Sequence, residues 1–505
     1  MNKLSSLAFL AGLVSVVACS IETPDQSPSQ APERPASEQG DKPSDQPAAQ
    51  QPGQMASDDP MAPPPQPKPG MAMVRAIHAS ANAPKVDVYV KGNPTPVVTG
   101  LTYGQTSGWL EVPEGSYTFE LRASPSKASD PIAYATGALQ IADGSMISAV
   151  AAGLLATNDT DASFRILPIA EKFDAVPAGK VRIRAVHAGA DAPAVDLDVG
   201  NDNPAAPEVS SLARFADTGA AGIALPSGQR LAVGIAKDGA RVTSFTTPKL
   251  PDGGQLLVIA TGLLGNNGLS LLGIGPNGSI GFIKQDPIVY ALHAGSDAPN
   301  VDAFVGDTEI ISNLAFGKIS PKIQVMPGEY QLDFFGTTMG TDRPDTKPAA
   351  VASTGQLEAG ERYLAVATGL LGNNTFTLVG ARDAFTPADD KSVLRLIHGS
   401  PDAPAVDTGL VANGALSPVL FPDLAYKKSS GENGLAAAPG HLSIGVTPAG
   451  QTSTIVRQFT FPATEGQRGL VVAAGVLDAT KGKSFRLLVV DTAKNPWSVS
   501  TVFSH

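Results

Sequence analysis

The chain holds one cysteine, Cys19, in 505 residues. A single thiol excludes a disulfide framework, an iron–sulfur cluster and a thiolate zinc site. Charge is scarce at 16%, and its balance is acidic: 36 Lys and Arg face 47 Asp and Glu, a formal net charge of −11. A nucleic-acid partner needs a basic surface to meet phosphates, so none is expected. Aromatic residues make up 6%, thin material for the ring platforms on which many carbohydrate-binding modules rely. Past the N-terminus no segment has about 20 uninterrupted apolar residues, the length a spanning helix needs. No G-x-S-x-G elbow, H-E-x-x-H pair or phosphate-cradling glycine loop occurs, and Gly273-Ile274-Gly275 reads as a turn between strands. The chain does have apolar material for cores, at 42% hydrophobic, and 52 glycines with 43 prolines. That composition predicts many short strands, few helices and three to four domains.

Residues 1–19 carry Lys3 and then an apolar run from Leu7 to Val17, ending in Val16-Val17-Ala18-Cys19. The run has signal-peptide length and is too short to span a bilayer. It resembles a bacterial lipoprotein signal, with Val16 where such signals usually have Leu. The resemblance implies lipidation of Cys19, which becomes the mature first residue, and Ser20 after it matches the outer-membrane sorting pattern. The expected localisation is the cell envelope, lipid-anchored, at the outer membrane. Residues 20–70 contain 13 prolines and few large apolar side chains. Such a segment cannot offset its ordering entropy and reads as a disordered tether.

Four segments repeat after it: VRAIHASANAPKVDVYV (74–90), IRAVHAGADAPAVDLDV (183–199), VYALHAGSDAPNVDAFV (289–305) and LRLIHGSPDAPAVDTGL (394–410). Each is followed by a Pro-Gly turn, at Val112-Pro113-Glu114-Gly115, Leu225-Pro226-Ser227-Gly228, Met326-Pro327-Gly328 and Ala438-Pro439-Gly440. Each unit closes on a Gly-Leu pattern, at Gly153-Leu154-Leu155, Gly262-Leu263-Leu264, Gly369-Leu370-Leu371 and Gly475-Val476-Leu477. Three landmarks in one order establish tandem duplication, with a period of domain size rather than solenoid size. Alternation such as Val86-Asp87-Val88-Tyr89-Val90 predicts strands, about seven per unit. The fold expected is all-β: four tandem antiparallel β-sandwich (Ig-like) modules at 71–172, 180–283, 287–385 and 391–495, each with its own core.

The opening motif, the Pro-Gly turn and the late Gly-Leu strand resemble the bacterial family called domain of unknown function 4397, over roughly 73–495. The resemblance implies an extracytoplasmic β module, often in lipoproteins or surface proteins, and no activity. Three departures stand out: Asn82 in place of Asp, Gly399 in place of Ala, and Lys427-Lys428 within the mid-module Ala-Tyr/Phe-Gly segment.

The repeated polar residues are His78, Asn82 and Asp87; His187, Asp191 and Asp196; His293, Asp297 and Asp302; His398, Asp402 and Asp407. As structure, the first acid closes a local Asx-turn, the proline stiffens it, and the His donates to the second Asp or to a carbonyl. As a metal site, one His and two acids fall short of a structural zinc shell, and the His counts against calcium. A catalytic set repeated four times is weaker still. The outward positions after the motif, Tyr89, Asp198, Phe304 and Gly409, share no sugar-binding ring, and Trp109 and Trp497 have no counterparts in the other copies. No cofactor, metal or catalytic residue is therefore assigned. The expected function is that of a non-enzymatic envelope lipoprotein displaying its modules as a stalk, adhesive or protein-binding array. Its partners are the membrane, through the lipid, and other envelope or surface proteins or polysaccharide. The alternative is an envelope protein that binds a carbohydrate or metal, or is enzyme-like, through one specialised module.

Overall fold

The computed structural model describes residues 59–265, 268–337, 340–386 and 388–505. Cys19, the signal segment and 20–58 of the tether lie outside them. The described chain is all-β, with four tandem β-sandwich modules and no α-helix among the described residues. Each module opens with a strand that carries the repeated His at or near its end: Met71–His78, Lys180–His187, Ile288–Gly295 and Ser392–His398. The Asp-Ala-Pro turn then sends the chain into the opposite sheet through a corner strand: Val86–Val90, Val195–Val199, Val301–Val305 and Val406–Ala412. A late strand, Met146–Ala152, Gln255–Thr261, Arg362–Gly369 or Arg468–Ala474, returns to lie parallel to the opening strand. The other strand ladders are antiparallel. A parallel pair needs a long crossover, and here the whole second sheet is that crossover, so the module's beginning and end are tied together.

The structure differs from the sequence reading at several points. Modules contain eight to ten strands rather than about seven, because the edges break into short pieces. The fourth module runs on past 495: Trp497 is buried, and Ser498–Phe503 adds an edge strand. Residues 59–70, although mostly exposed, touch modules 1 and 2. Met61 sits against Val181, Leu225 and Leu256 of module 2, and Lys68 pairs with Glu111 of module 1 at 2.7 Å.

Each module has a core of its own between its two sheets, and two further clusters are shared between modules. Ile77, Ala79, Val150 and Ala152 of module 1 share one cluster with Val186, Ala188, Ile259 and Leu272 of module 2. Tyr290, Leu292 and Val366 of module 3 share another with Ile397, Val472, Leu488 and Trp497 of module 4. The opening strand explains this. Its two faces are both covered, one by its own sandwich and one by the neighbouring module, so a strand such as Ile288–Gly295 is buried at every position. The residue three before each His always lies at this seam. Arg75 donates to Gly275 of module 2 at 2.9 Å and stacks on Trp109, with its charge met by Glu171. Arg184 donates to Ala170 of module 1. Tyr290 stacks on Trp497, and Arg395 donates to the Arg382 carbonyl of module 3. The two tryptophans without counterparts are thus seam residues, one in each pair. Modules 2 and 3 meet through polar groups instead: buried Asp286 accepts from Ser244 and Thr246 at 2.7 Å, and Gln324 donates to the Asp286 carbonyl at 3.0 Å.

Candidate functional site

The His of each corner points its Nε2 at the carbonyl of the motif's proline: His78 to Pro84 at 3.1 Å, His187 to Pro193 at 2.8 Å, His293 to Pro299 at 2.9 Å and His398 to Pro404 at 2.9 Å. A carbonyl only accepts, so Nε2 carries the proton in all four. Nδ1 accepts from Gly295 N at 3.2 Å in module 3 and from Ser400 N at 3.3 Å in module 4. Among the described residues, the Nδ1 atoms of His78 and His187 have no hydrogen-bond partner. All four rings are buried, and desolvation lowers each pKa below the ordinary imidazole value. The backbone of each His is held as well. Its carbonyl accepts from Gly104, Phe215, Gly317 or Lys427, in the mid-module turn of its own module. Tyr103, Phe316 and Tyr426 from that turn meet the imidazole edge-on at 6.0 to 6.2 Å. The Lys427 that departs from the sequence pattern occupies a left-handed position, φ +68°, where two siblings have glycine. The turn is kept without it.

The first acid does not close a local turn. It reaches the late Gly-Leu loop at the far end of the module. Asp297 accepts from Leu371 N and Gly372 N, both at 2.8 Å. Asp191 holds Leu264 N and Gly265 N at 2.7 and 2.8 Å, and Asp402 holds Leu477 N and Asp478 N at 2.9 and 3.0 Å. Two successive N–H groups match the two oxygens of a carboxylate. In module 1 the second N–H is not offered, and Asn82 grips Leu155 alone, accepting from its N and donating to its O at 2.9 Å each. The amide therefore suits a site that presents one donor and one acceptor.

The second acid secures a β-bulge. Asp87, Asp196, Asp302 and Asp407 accept from Gly100, Ser211, Asn313 and Asp423 N at 2.7 to 2.8 Å. Those four donors all have positive φ, from 46° to 67°, where the strand beside the corner strand slips register. Burial pushes the Asp87 carboxyl up, but donors from Ser124, Gly100 and Ser126 outweigh it and leave the pKa below the usual range.

The corner thus consists of three latches that radiate from one turn: His to proline, first acid to late loop, second acid to bulge. Neither acid is bonded to the His. Among the described residues no group of three or more His, Cys, Asp or Glu is close enough to hold a metal ion. Tyr89, Asp198 and Phe304, expected to face outward, are each 1% exposed. Later loops and side chains fold over them: Tyr89 bonds Ser126 and lies under Arg122, and Phe304 meets Phe335. No ring platform is exposed there.

The model of one family, Domain of unknown function (DUF4397), matches residues 72–198 and 288–409. The repeats resemble DUF4397. Each matched stretch begins in the opening strand of a module, runs through that DUF4397-like module, and ends in the corner strand of the next. Each match therefore spans a seam between two modules. No curated protein matches the chain.

Two seam positions went unread in the sequence. Thr261 donates across the first seam to Ala79 O, and Thr368 across the second to Gly399 O. The same contact is made to Ala79 in the first seam, so Gly399 is not required by it. The signal was a Thr-Gly in two copies against Ala-Gly in the others.

Proposed function

We propose that this protein is a non-enzymatic cell-envelope lipoprotein, held to the outer membrane by lipid on Cys19. It displays two rigid pairs of β-sandwich modules as a stalk and binding array for other envelope or surface components. The observation that carries the reading is how the four His-Asp corners use their polar groups. The acids are spent on backbone donors, and each His on a proline carbonyl, so the repeated motif serves architecture. Duplicated architecture keeps every copy, as here. No helix among the described residues is long and apolar enough to cross a membrane, and a lipid with more than one acyl chain would hold the chain firmly. The test is Cys19→Ala with fractionation and radiolabelled palmitate. The parent is expected in the membrane pellet and labelled, the variant soluble and unlabelled. A parent that stays membrane-bound without label overturns the anchor, and envelope material captured on the purified ectodomain identifies what the array holds.

A further inference from the structure

Module 2 is hollow. Its two sheets enclose an apolar cavity of about 360 Å³, against about 50 Å³ in module 1 and about 40 Å³ in module 4. One lining position departs from its siblings toward a smaller side chain. The residue entering the strand after the late loop is Phe164, Phe376 and Phe485 in modules 1, 3 and 4, and Leu269 in module 2. Each Phe meets a second ring across the sandwich: Tyr134 at 4.9 Å, Phe334 at 5.3 Å and Phe459 at 6.1 Å. Module 2 has Phe245 alone among its inter-sheet core clusters. The space is felt by its lining. Ala260 stays partly accessible, whereas its counterparts Ala151, Ala367 and Ala473 are buried.

Close-packed interiors rarely keep such a void, because lining atoms lose their contacts. Apolar cavities stay dry and accept apolar ligands, and this volume falls within the roughly 300–1,000 Å³ of small-molecule sites. Val195, Leu197, Ile235, Val258 and Leu271 line it, and Lys249, exposed, is the only fully charged lining residue. Pro60 and Met61 also line it, and Met61 packs on Val181, Ile183 and Leu250. The last described stretch of the tether thus covers part of the cavity.

We propose that module 2 binds one long-chain fatty acid, its chain between the sheets, its carboxylate at Lys249, and the Pro60-Met61 segment as closure. The site does not depend on the anchor reading. The test uses the full chain carrying Cys19→Ala, so that no lipid of the protein's own competes, titrated with cis-parinaric acid and with its methyl ester. Saturable binding of one acid per chain is expected. Leu269→Phe installs the ring its siblings use and should weaken binding at least tenfold. If that variant does not fold, Ala260→Leu fills the same space. Met61→Ala should speed both association and release. Lys249→Ala should weaken the acid about threefold, the size of an exposed ion pair, and leave the ester unchanged. Absence of saturable binding, or equal binding by the filled variant, overturns the site. Unchanged rates in Met61→Ala overturn the closure, and equal losses of acid and ester in Lys249→Ala overturn the carboxylate placement.

Discussion

Tyr290 of module 3 lies flat against Trp497 of module 4, ring centroids 4.6 Å apart and planes within 16°. Arg362 stands over the same indole, and the cluster around it draws side chains from both modules. The stable unit is therefore the pair. Trp497→Ala should destabilise the 287–505 fragment by about 3–5 kcal/mol, the usual loss for a large buried ring. Chemical denaturation followed by circular dichroism measures it. A loss below 1 kcal/mol would mean the seam carries little.

The same seam sets which fragments fold. A module 2 fragment, 180–284, should lack a cooperative melt and bind a hydrophobic dye, because its outer sheet face is stripped of Ile77, Val150 and Ala152. The fragment 59–284 should melt cooperatively. A sharp, dye-free melt for the single module would show that its inner core suffices.

His187→Ala in the 59–284 fragment should cost about 1–3 kcal/mol, since it removes a buried ring and its hydrogen bond to Pro193 O. The loss should be the same with zinc, calcium or chelator present. Were chelator to destabilise the parent and spare the variant, a bound metal would be stabilising the native state.

The four corner histidines also fix a pH response. Their folded pKa values lie below the unfolded value of about 6.5. Below that pH the unfolded chain binds more protons than the folded one, so stability falls as pH drops from about 6.5 toward the folded values and is full above it. Buried Asp286, its pKa raised by desolvation, acts oppositely, in a window that opens near 3.8. His398→Gln keeps an Nε2 donor for Pro404 and removes the titration. Its melting temperature should decline less than the parent's between pH 7 and pH 5.5; parallel declines would remove His398 from the response.

The first acid predicts opposite chemistry in two copies. Asp297→Ala frees Leu371 N and Gly372 N to water and should cost about 1 kcal/mol. Asn82→Asp, although it restores the residue of the other copies, sets a carboxylate against the Leu155 carbonyl and should also destabilise. Hydrogen exchange at Leu155 and Leu371 reads both effects locally. A stabilised Asn82→Asp variant would contradict the one-donor, one-acceptor geometry.

Strand alternation and the spacing of three landmarks were enough to read the sandwiches and their number, because alternation of residue type is written along single strands such as Val86–Val90, even though that strand is buried along almost its whole length. The pairing was not readable. Arg75, Arg184 and Arg395 look like solvated residues in a sequence, and only a facing module turns their position into a seam. The Asp-to-loop latch was missed for a similar reason: an Asx-turn satisfies Asp297 equally well on paper, and its actual partners lie 74 and 75 residues away. Leu269 against Phe164, Phe376 and Phe485 was visible once the late strands were aligned, but its meaning depended on which rings those phenylalanines touch.

An opening strand clothed on both faces also governs arithmetic. Four copies close two seams, so each opening strand has a neighbouring module against it. A three-copy chain would present one bare apolar sheet to water, a patch of the kind that drives association. Gain or loss of copies in such chains should therefore proceed by twos, and the heritable unit is the couple rather than the single fold.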